Sequence, residues 1–172
     1  MIGEWKGFPP MRVEFVPVSQ GDPLAERLFT ELAVEYADRY GAARERILTW
    51  LRGYPPDEFA APGGALLIGL SDGQPVTGGG FRRFDAETAE LKRIWTDRRY
   101  RRRGHARMLL AALEAEIAAR GYRRVYLTTG DRQPEAEALY LAAGYTRLCE
   151  PLPVEGSENV EVYPVAFEKS LT

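Results

Sequence analysis

Six arginines, Arg98, Arg99, Arg101, Arg102, Arg103 and Arg107, fall within ten consecutive residues. So many guanidinium ions need an anion or solvent around them. A glycine stands among them, Gly104, and the residues after it, from His105 and Ala106 onward, have the pattern of a helix. Glycine lets a ligand approach the backbone closely. The first turn of a helix adds unpaired N–H groups and the positive end of the dipole, which together suit a phosphate. A Walker A loop is excluded, because none of the three lysines, Lys6, Lys92 and Lys169, sits in a Gly-Lys-Ser or Gly-Lys-Thr. A dinucleotide fingerprint fails for want of its other glycines. A solvated basic face or a nucleic-acid contact would also account for the arginines, although the helix-start position argues against both. Two further reactive residue types stand alone. His105, the single histidine, lies on the phosphate side of the turn and reads as a surface residue. Cys149, the single cysteine, has no histidine near it in sequence and reads as a small buried hydrophobe.

The elements that must position this turn follow from periodicity. Residues 11–18 alternate as an opening strand, and Gly21-Asp22-Pro23 starts a helix with the stripe Leu24, Leu28, Leu32, Tyr36, closed by Gly41. A second helix covers about residues 42–52 through Ile47, Leu48 and Leu51. Residues 53–64, rich in proline and glycine, read as a long surface loop. Three antiparallel strands follow at 65–70, 76–84 and 89–96. A helix over about 104–120 carries Leu109, Leu110, Leu113 and Ile117 on one face, with Gly121 as its cap. A strand at 123–129, a short helix at 134–143 closed by Gly144, and a strand at 145–149 complete the pattern, with a last strand within 160–168. The strand, helix, strand succession between residues 89 and 129 requires one parallel crossover pair in an otherwise antiparallel sheet.

Composition excludes several classes. At 172 residues, 45% hydrophobic and 28% charged, the chain is one ordinary globular domain. Its net charge of −2 offers no general attraction to nucleic acid or anionic lipid, and becomes −8 once the six clustered arginines are set aside. No apolar run approaches the roughly 18 residues of a membrane span. One cysteine forbids an internal disulfide, and one histidine leaves few soft ligands for zinc. The first ten residues lack the basic start and apolar block of a secretory signal, so a cytoplasmic location is expected.

The order Glu90-Leu91-Lys92-Arg93-Ile94-Trp95-Thr96, then Arg101-x-x-Gly104-x-Ala106, then Ala138-Leu139-Tyr140-x-x-x-Gly144-Tyr145 resembles the GNAT acyltransferase superfamily, whose members transfer acyl groups from acyl-CoA to amines. The likeness covers about residues 65–149. It implies a mixed α/β fold, mostly antiparallel with one parallel crossover pair and flanking helices. It further implies acetyl-CoA as co-substrate, direct attack by a primary amine in a ternary complex, and no metal. The pyrophosphate of CoA would rest on the backbone of Arg102, Arg103, Gly104, His105, Ala106 and Arg107, with Arg101 and its neighbours adding charge. The pantetheine arm would pair with the strand edge at Ile94, Trp95 and Thr96 in the manner of an added strand. Two departures stand out: Arg102 where many members have glycine, and Gln133 where many have a pantetheine-contacting asparagine.

By the same resemblance Tyr140 would contact the cofactor and protonate the departing thiolate, chiefly through a hydrogen bond to the developing sulfur charge. Filling core within the stripe Ala136, Leu139, Tyr140, Ala143 is its other reading. Glu90 takes the position of a general-base glutamate in the histone-modifying members. Alternation sets Glu90, Lys92, Ile94 and Thr96 on one face, with Glu90 about 13 Å from Ile94, so a base there would act through water. Lys92 on that face would pair with Glu90 and blunt it as a base, which leaves a substrate-positioning role equally open. Candidate acceptor-side residues are Glu31, Glu35, Tyr36, Trp50, Tyr54 and Tyr163, whose acidic and aromatic character would suit a cationic amine. Expected partners are this amine and, optionally, a second copy of the chain as a homodimer, with neither nucleic acid nor membrane. A non-catalytic acyl-CoA sensor of the same fold is the alternative.

Overall fold

Asp72 and Gly73 both take positive φ, 49° and 76°, the pattern of a two-residue turn whose twist suits a hairpin. They join β2 (Ala65–Ser71) to β3 (Gln74–Arg83), and β4 (Thr88–Thr96) continues the meander. The computed structural model, which describes residues 12–153 and 164–171, builds on this a single seven-stranded sheet. Its other strands are β1 (Val13–Pro17), β5 (Arg124–Gly130), β6 (Thr146–Arg147) and β7 (Pro164–Ser170), in the order β1-β2-β3-β4-β5-β7-β6. Every neighbouring pair is antiparallel except β4 with β5. The expected mixed sheet with one parallel crossover pair is therefore present.

Helices cover both faces. On one lie α1 (Glu26–Tyr40) and α2 (Arg44–Arg52); Leu28, Phe29, Leu32 and Ile47 pack with Leu66, Ile68 and Trp95. On the other lie α3 (His105–Ala119) and α4 (Pro134–Ala142); Leu109, Leu113 and Ile117 pack with Phe81, Leu91, Val125, Leu127 and Phe167. Gly41, at φ 70°, ends α1 as expected, its N–H donating to Ala37 O. Residues 53–64 are not simply a surface loop: a 3-10 turn at Pro56–Phe59 carries Phe59 into the α1/α2 core. Of the opening strand, residue 11 lies outside the described residues, as do residues 160–163 of the last strand. No helix among the described residues is long and apolar enough to cross a membrane.

Two irregularities shape the middle of the sheet. First, β4 and β5 pair only at Thr88↔Arg124, Ala89↔Val125 and Glu90↔Tyr126, and beyond Glu90 they share no pairing. Second, Gly78 opposes Trp95 and Gly80 opposes Lys92, so Arg93 and Ile94 together face Gly79 in a β-bulge. A Cβ on Gly79 would stand 2.6 Å from Ile94 Cδ1, so the strand opposite the bulge has no room for a side chain there. Arg93 takes φ 61°, a conformation that costs a non-glycine residue about 1 kcal/mol or more. The bulge resets the alternation. Leu91 and Ile94 both face α3 and α4, while Trp95 joins the α1/α2 core. The sequence expectation that Glu90, Lys92, Ile94 and Thr96 share one face is thus corrected: the phase changes at Arg93.

The Arg93 side chain holds this irregular stretch to the helices. Its guanidinium lies 5.0 Å from the Phe29 ring centroid, 4.8 Å from Tyr54 and 4.4 Å from Phe59. It donates to Gln20 Oε1 at 2.8 Å and to Leu51 O. Gln20 in turn donates to Arg52 O and Tyr54 O, so two side chains satisfy carbonyls at the end of α2 that the helix itself cannot. We expect Arg93→Met to lower unfolding free energy by about 1–3 kcal/mol in urea denaturation, since it leaves the buried Leu51 carbonyl unpaired; unchanged stability would show that the bracket is dispensable.

Candidate functional site

The loss of pairing beyond Glu90 opens a split between the C-terminal halves of β4 and β5, and several of the candidate residues gather around it. Asp97 N–H donates to Val76 O and Trp95 O accepts from Thr77 Oγ1 at 2.8 Å, so Trp95 and Asp97 direct their backbone toward β3. By alternation Ile94 and Thr96 direct theirs toward the split. Of the three strand residues expected to offer backbone to a cofactor, Ile94 and Thr96 therefore face the opening and Trp95 does not. Thr96 O already accepts from Arg101 Nε at 3.3 Å. The Trp95 indole is buried on the α1 side, beside the Glu31 carboxyl.

At the end of β4 the chain turns through Arg98–Tyr100, a 3-10 turn capped by Asp97 Oδ1, which accepts from Arg99 N at 2.9 Å. Asp97 is 1% exposed and balanced by Arg27 at 2.6 Å and Arg99 at 3.3 Å. Arg102 takes φ 63° and Gly104 φ 81°. Arg102 therefore occupies a backbone conformation that glycine adopts without strain, a physical account of the glycine that stands there in many proteins of the resembling family. Gly104 precedes α3 with no side-chain cap, and the first intrahelical bond returns from Met108 N to Gly104 O. The amides of His105, Ala106 and Arg107 are thus at the open helix end. Arg101, Arg102, Arg103 and Arg107 are all exposed around it. The turn combines free N–H groups, dipole and four guanidinium ions, which is the chemistry of a polyphosphate site.

His105 is a correction: it is 3% exposed, not on the surface, with its ring edge-on to Tyr100 at 6.0 Å and Nδ1 without a partner. An apolar stripe begins at this residue, which carries it inward with Leu109. Cys149 is also corrected, being exposed.

Tyr140, on α4, is 5% exposed and packs against Tyr145 and Phe167, both at 5.7 Å between centroids. Burial first, and the neighbouring Tyr36 phenol second, raise its pKa, so its proton is held firmly. Tyr36, from α1, is itself pushed up to about 12, mainly by burial and then by Glu35. Tyr140 is therefore core, as one of its two sequence readings has it, with the Tyr36 phenol near enough to influence it. Gln133 is half-buried and donates to Tyr40 Oη at 3.4 Å.

Glu90 is the last residue of β4 paired with β5 and is 3% exposed. Arg82 lies 3.3 Å and Lys92 3.1 Å from its Oε1. Arg82 also holds Glu58 at 2.8 Å. The pairing with Lys92 expected from sequence is present, and Arg82 adds a second cation that strand alternation alone did not name. A cleft of about 430 Å³ opens here, lined in part by Arg82, Arg83, Phe84 and Glu90. Among the described residues no group of three or more His, Cys, Asp or Glu is placed to hold a metal ion.

The acidic residues of α1 are likewise engaged. Glu35 pairs with Arg39 at 3.0 Å and Arg101 at 3.1 Å. Arg39 continues to Glu135 at the start of α4, at 3.0 Å. Glu31 lies 3.5 Å from Arg27, and its Oε2 is buried without a hydrogen-bond partner. Of the other acceptor-side residues named from sequence, Trp50 is 48% exposed and stacks edge-on to Tyr54 at 5.8 Å, while Tyr163 lies outside the described residues. Arg93 was missed by sequence reasoning; the run Gly78-Gly79-Gly80 opposite β4 was the available sign of a bulge.

Burial and the nearby Asp97 raise the Glu31 pKa. A carboxyl whose folded pKa lies above its unfolded one carries no penalty while protonated in both states, and destabilises the fold as pH rises through that window. Glu31→Gln should therefore improve stability, relative to wild type, more at about pH 7 than at about pH 4 in thermal unfolding; a benefit larger at the lower pH would contradict the assignment.

Comparison with known proteins agrees with this geometry. The model of the Acetyltransferase (GNAT) family matches residues 25–145. No curated protein sequence matches the chain. Among solved structures, a candidate acyl-CoA N-acyltransferase from Klebsiella pneumoniae is 25% identical, with TM-score 0.71 over 93% of this chain and 98% of that one. A GNAT family acetyltransferase from Staphylococcus aureus is 16% identical, with TM-score 0.74 over 94% and 100%. A GNAT family acetyltransferase from Elizabethkingia anophelis, solved with acetyl-CoA bound, is 17% identical, with TM-score 0.63 over 92% and 98%.

Proposed function

Since the chain belongs to the GNAT acetyltransferase family, we propose that it transfers an acetyl group from acetyl-CoA to a primary amine by direct attack in a ternary complex. The observation that carries this reading is the conjunction of the split between β4 and β5 with the arginine-ringed start of α3 at its end. The open helix end suits the CoA pyrophosphate through the amides of His105, Ala106 and Arg107, and the guanidinium ions of Arg102, Arg103 and Arg107 add charge. Arg101, already shared between Glu35 and Thr96 O, orients the turn and joins the anion site from its edge. The inner edge of β4 at Ile94 and Thr96 offers backbone groups to the amide-bearing pantetheine arm. Gln133 stands beside the path at the start of α4, where its side chain can turn from Tyr40 to an amide of the cofactor.

The amine nitrogen attacks the thioester carbonyl carbon, the carbon–sulfur bond breaks, and the nitrogen loses a proton as CoA leaves and becomes the thiol. We assign Tyr140 the hydrogen bond to the departing sulfur, and the proton that the nitrogen loses ends on that sulfur with the Tyr140 hydroxyl as relay. Its phenol stays protonated at neutral pH because burial opposes the phenolate, so it meets the developing thiolate as a hydrogen-bond donor. Glu90 has both Arg82 and Lys92 on its Oε1, which supports a positioning role and attack by an amine that arrives neutral. No helix of the described residues could cross a membrane, which is compatible with a cytoplasmic enzyme.

Tyr140→Phe preserves the ring packing and removes the one donor. It should lower kcat about 10- to 1000-fold while the acetyl-CoA Kd stays near wild type. An unchanged kcat with chemistry rate-limiting would return Tyr140 to the core alone.

A further inference from the structure

Three cations converge on one aromatic ring on the α1/α2 face of the sheet. Arg82 lies 5.3 Å, Lys92 5.8 Å and Arg93 4.8 Å from the centroid of Tyr54. The carboxylates near them are already engaged: Glu58 by Arg82, and Glu90 by Arg82 and Lys92 together. Arg93 has only neutral acceptors, Gln20 and Leu51 O. Of these ions Arg82 lines the cleft of about 430 Å³ together with Glu58 and Glu90, and Arg83 adds an exposed guanidinium to its wall. Arg83 has no ion pair among the described residues. Asp57, exposed on the same wall, is the one acid of the cleft not held by a described cation.

We infer that the acceptor is a small amine that carries its own carboxylate, held by Arg82 and Arg83 in this cleft, with Lys92 adding its charge from beside Glu90. This rests on the acyl-transfer reading above and names the substrate class for it. An ammonium group entering the cleft would have to displace Arg82 or Lys92 to reach Glu90, and would do so against neighbouring positive charge. A carboxylate displaces nothing, because both side chains keep N–H donors uncommitted beyond those they give to Glu58 and Glu90. Lys92 and Arg82 retain 25% and 21% side-chain exposure, so they are within reach of a ligand. The cations serve the chemistry as well. Like charge disfavours the protonated form of an approaching amine, so the environment that binds the carboxylate also favours the neutral nitrogen that attacks. Glu31 and Glu35, the acids expected from sequence to suit a cationic amine, each have an arginine beside them, and Glu90 has Arg82 and Lys92.

The test sets free amino acids, α and ω, against their matching carboxamides and a polyamine, using the full chain with acetyl-CoA and reading thiol release. Calorimetric titration of the CoA-saturated protein with the same compounds runs alongside. The expected kcat/KM is about 10- to 100-fold higher for the carboxylates than for their carboxamides, the range of a charge-assisted contact. Arg83→Gln, at an exposed position, and Lys92→Gln should each shrink that ratio through the acceptor KM, with the acetyl-CoA KM unchanged. Carboxamides or polyamine used as well as the carboxylates would overturn the inference and leave acyl transfer standing. If nothing is acetylated but the carboxylates alone bind the CoA-saturated protein, and Lys92→Gln abolishes that binding, the cleft assignment holds and the transfer reading falls. Absence of both turnover and selective binding overturns the assignment of the cleft.

Discussion

The structure depends on an interruption. A sheet gains its stability by completing ladders, yet β4 and β5 stop pairing after Glu90 and Tyr126, leaving backbone groups of β4 without a strand to satisfy them. The bulge at Arg93 accompanies this break and is built into both strands that flank it: Gly79 has no side chain because Ile94 fills that space, and Arg93 accepts a left-handed φ because aromatic rings and two acceptors fix its side chain. A sheet left open in this way has a slot with hydrogen-bonding walls. A ligand bearing amides can enter it as a strand would, and the arginine-ringed start of α3 stands at its outer end.

Helix α1 keeps the slot from collapsing or spreading. Its Glu35 reaches Arg101, just after β4, while its Arg39 reaches Glu135 and Arg132 O, just after β5. Arg132 returns a bond to Arg39 O, and the Tyr40 phenol stands so close to Gly130 that a Cβ there would overlap it. Each of these ion pairs is partly exposed and individually weak, in the range of about 0–1 kcal/mol. Their value is geometric: one rigid helix is tied to both arms of the split. The same helix delivers Tyr36 toward Tyr140, so the residue we assign to the leaving group meets a side chain that originates on the opposite face. Both arms of the split are thereby held by one element.

Much of this was legible in the sequence, for identifiable reasons. Elements with strong periodicity and sharp stops, α3 with Gly104 before it and Gly121 after it, fall where the residues require, as do the β2-β3 turn and the parallel crossover. Glu90 beside Lys92 was visible because two residues separate predictably along a regular strand. The phase of the strand beyond them was not, because period-two alternation makes no allowance for an inserted residue; only Gly78-Gly79-Gly80 on the neighbouring strand betrayed it. His105 misled for a related reason. Polar type and position beside a phosphate turn suggest exposure, whereas the helical stripe that starts there carries the ring to 3% exposure. Arg82 and Arg93 went unnoticed since their importance lies in long-range contacts, to Glu58, Gln20 and Leu51, that no local pattern encodes.

We place acyl-CoA in the split between β4 and β5. Amide hydrogen exchange of the full chain with and without acetyl-CoA tests that placement directly, since an added strand protects the amides it pairs with and a bound pyrophosphate protects those at a helix start. Slowed exchange is expected chiefly around Ile94 and Thr96 and in residues 102–107, while β1, at the edge of the sheet and separated from β4 by β2 and β3, keeps its free-state rates. Saturating acetyl-CoA that leaves both segments unprotected, or protects a different surface instead, would contradict the placement.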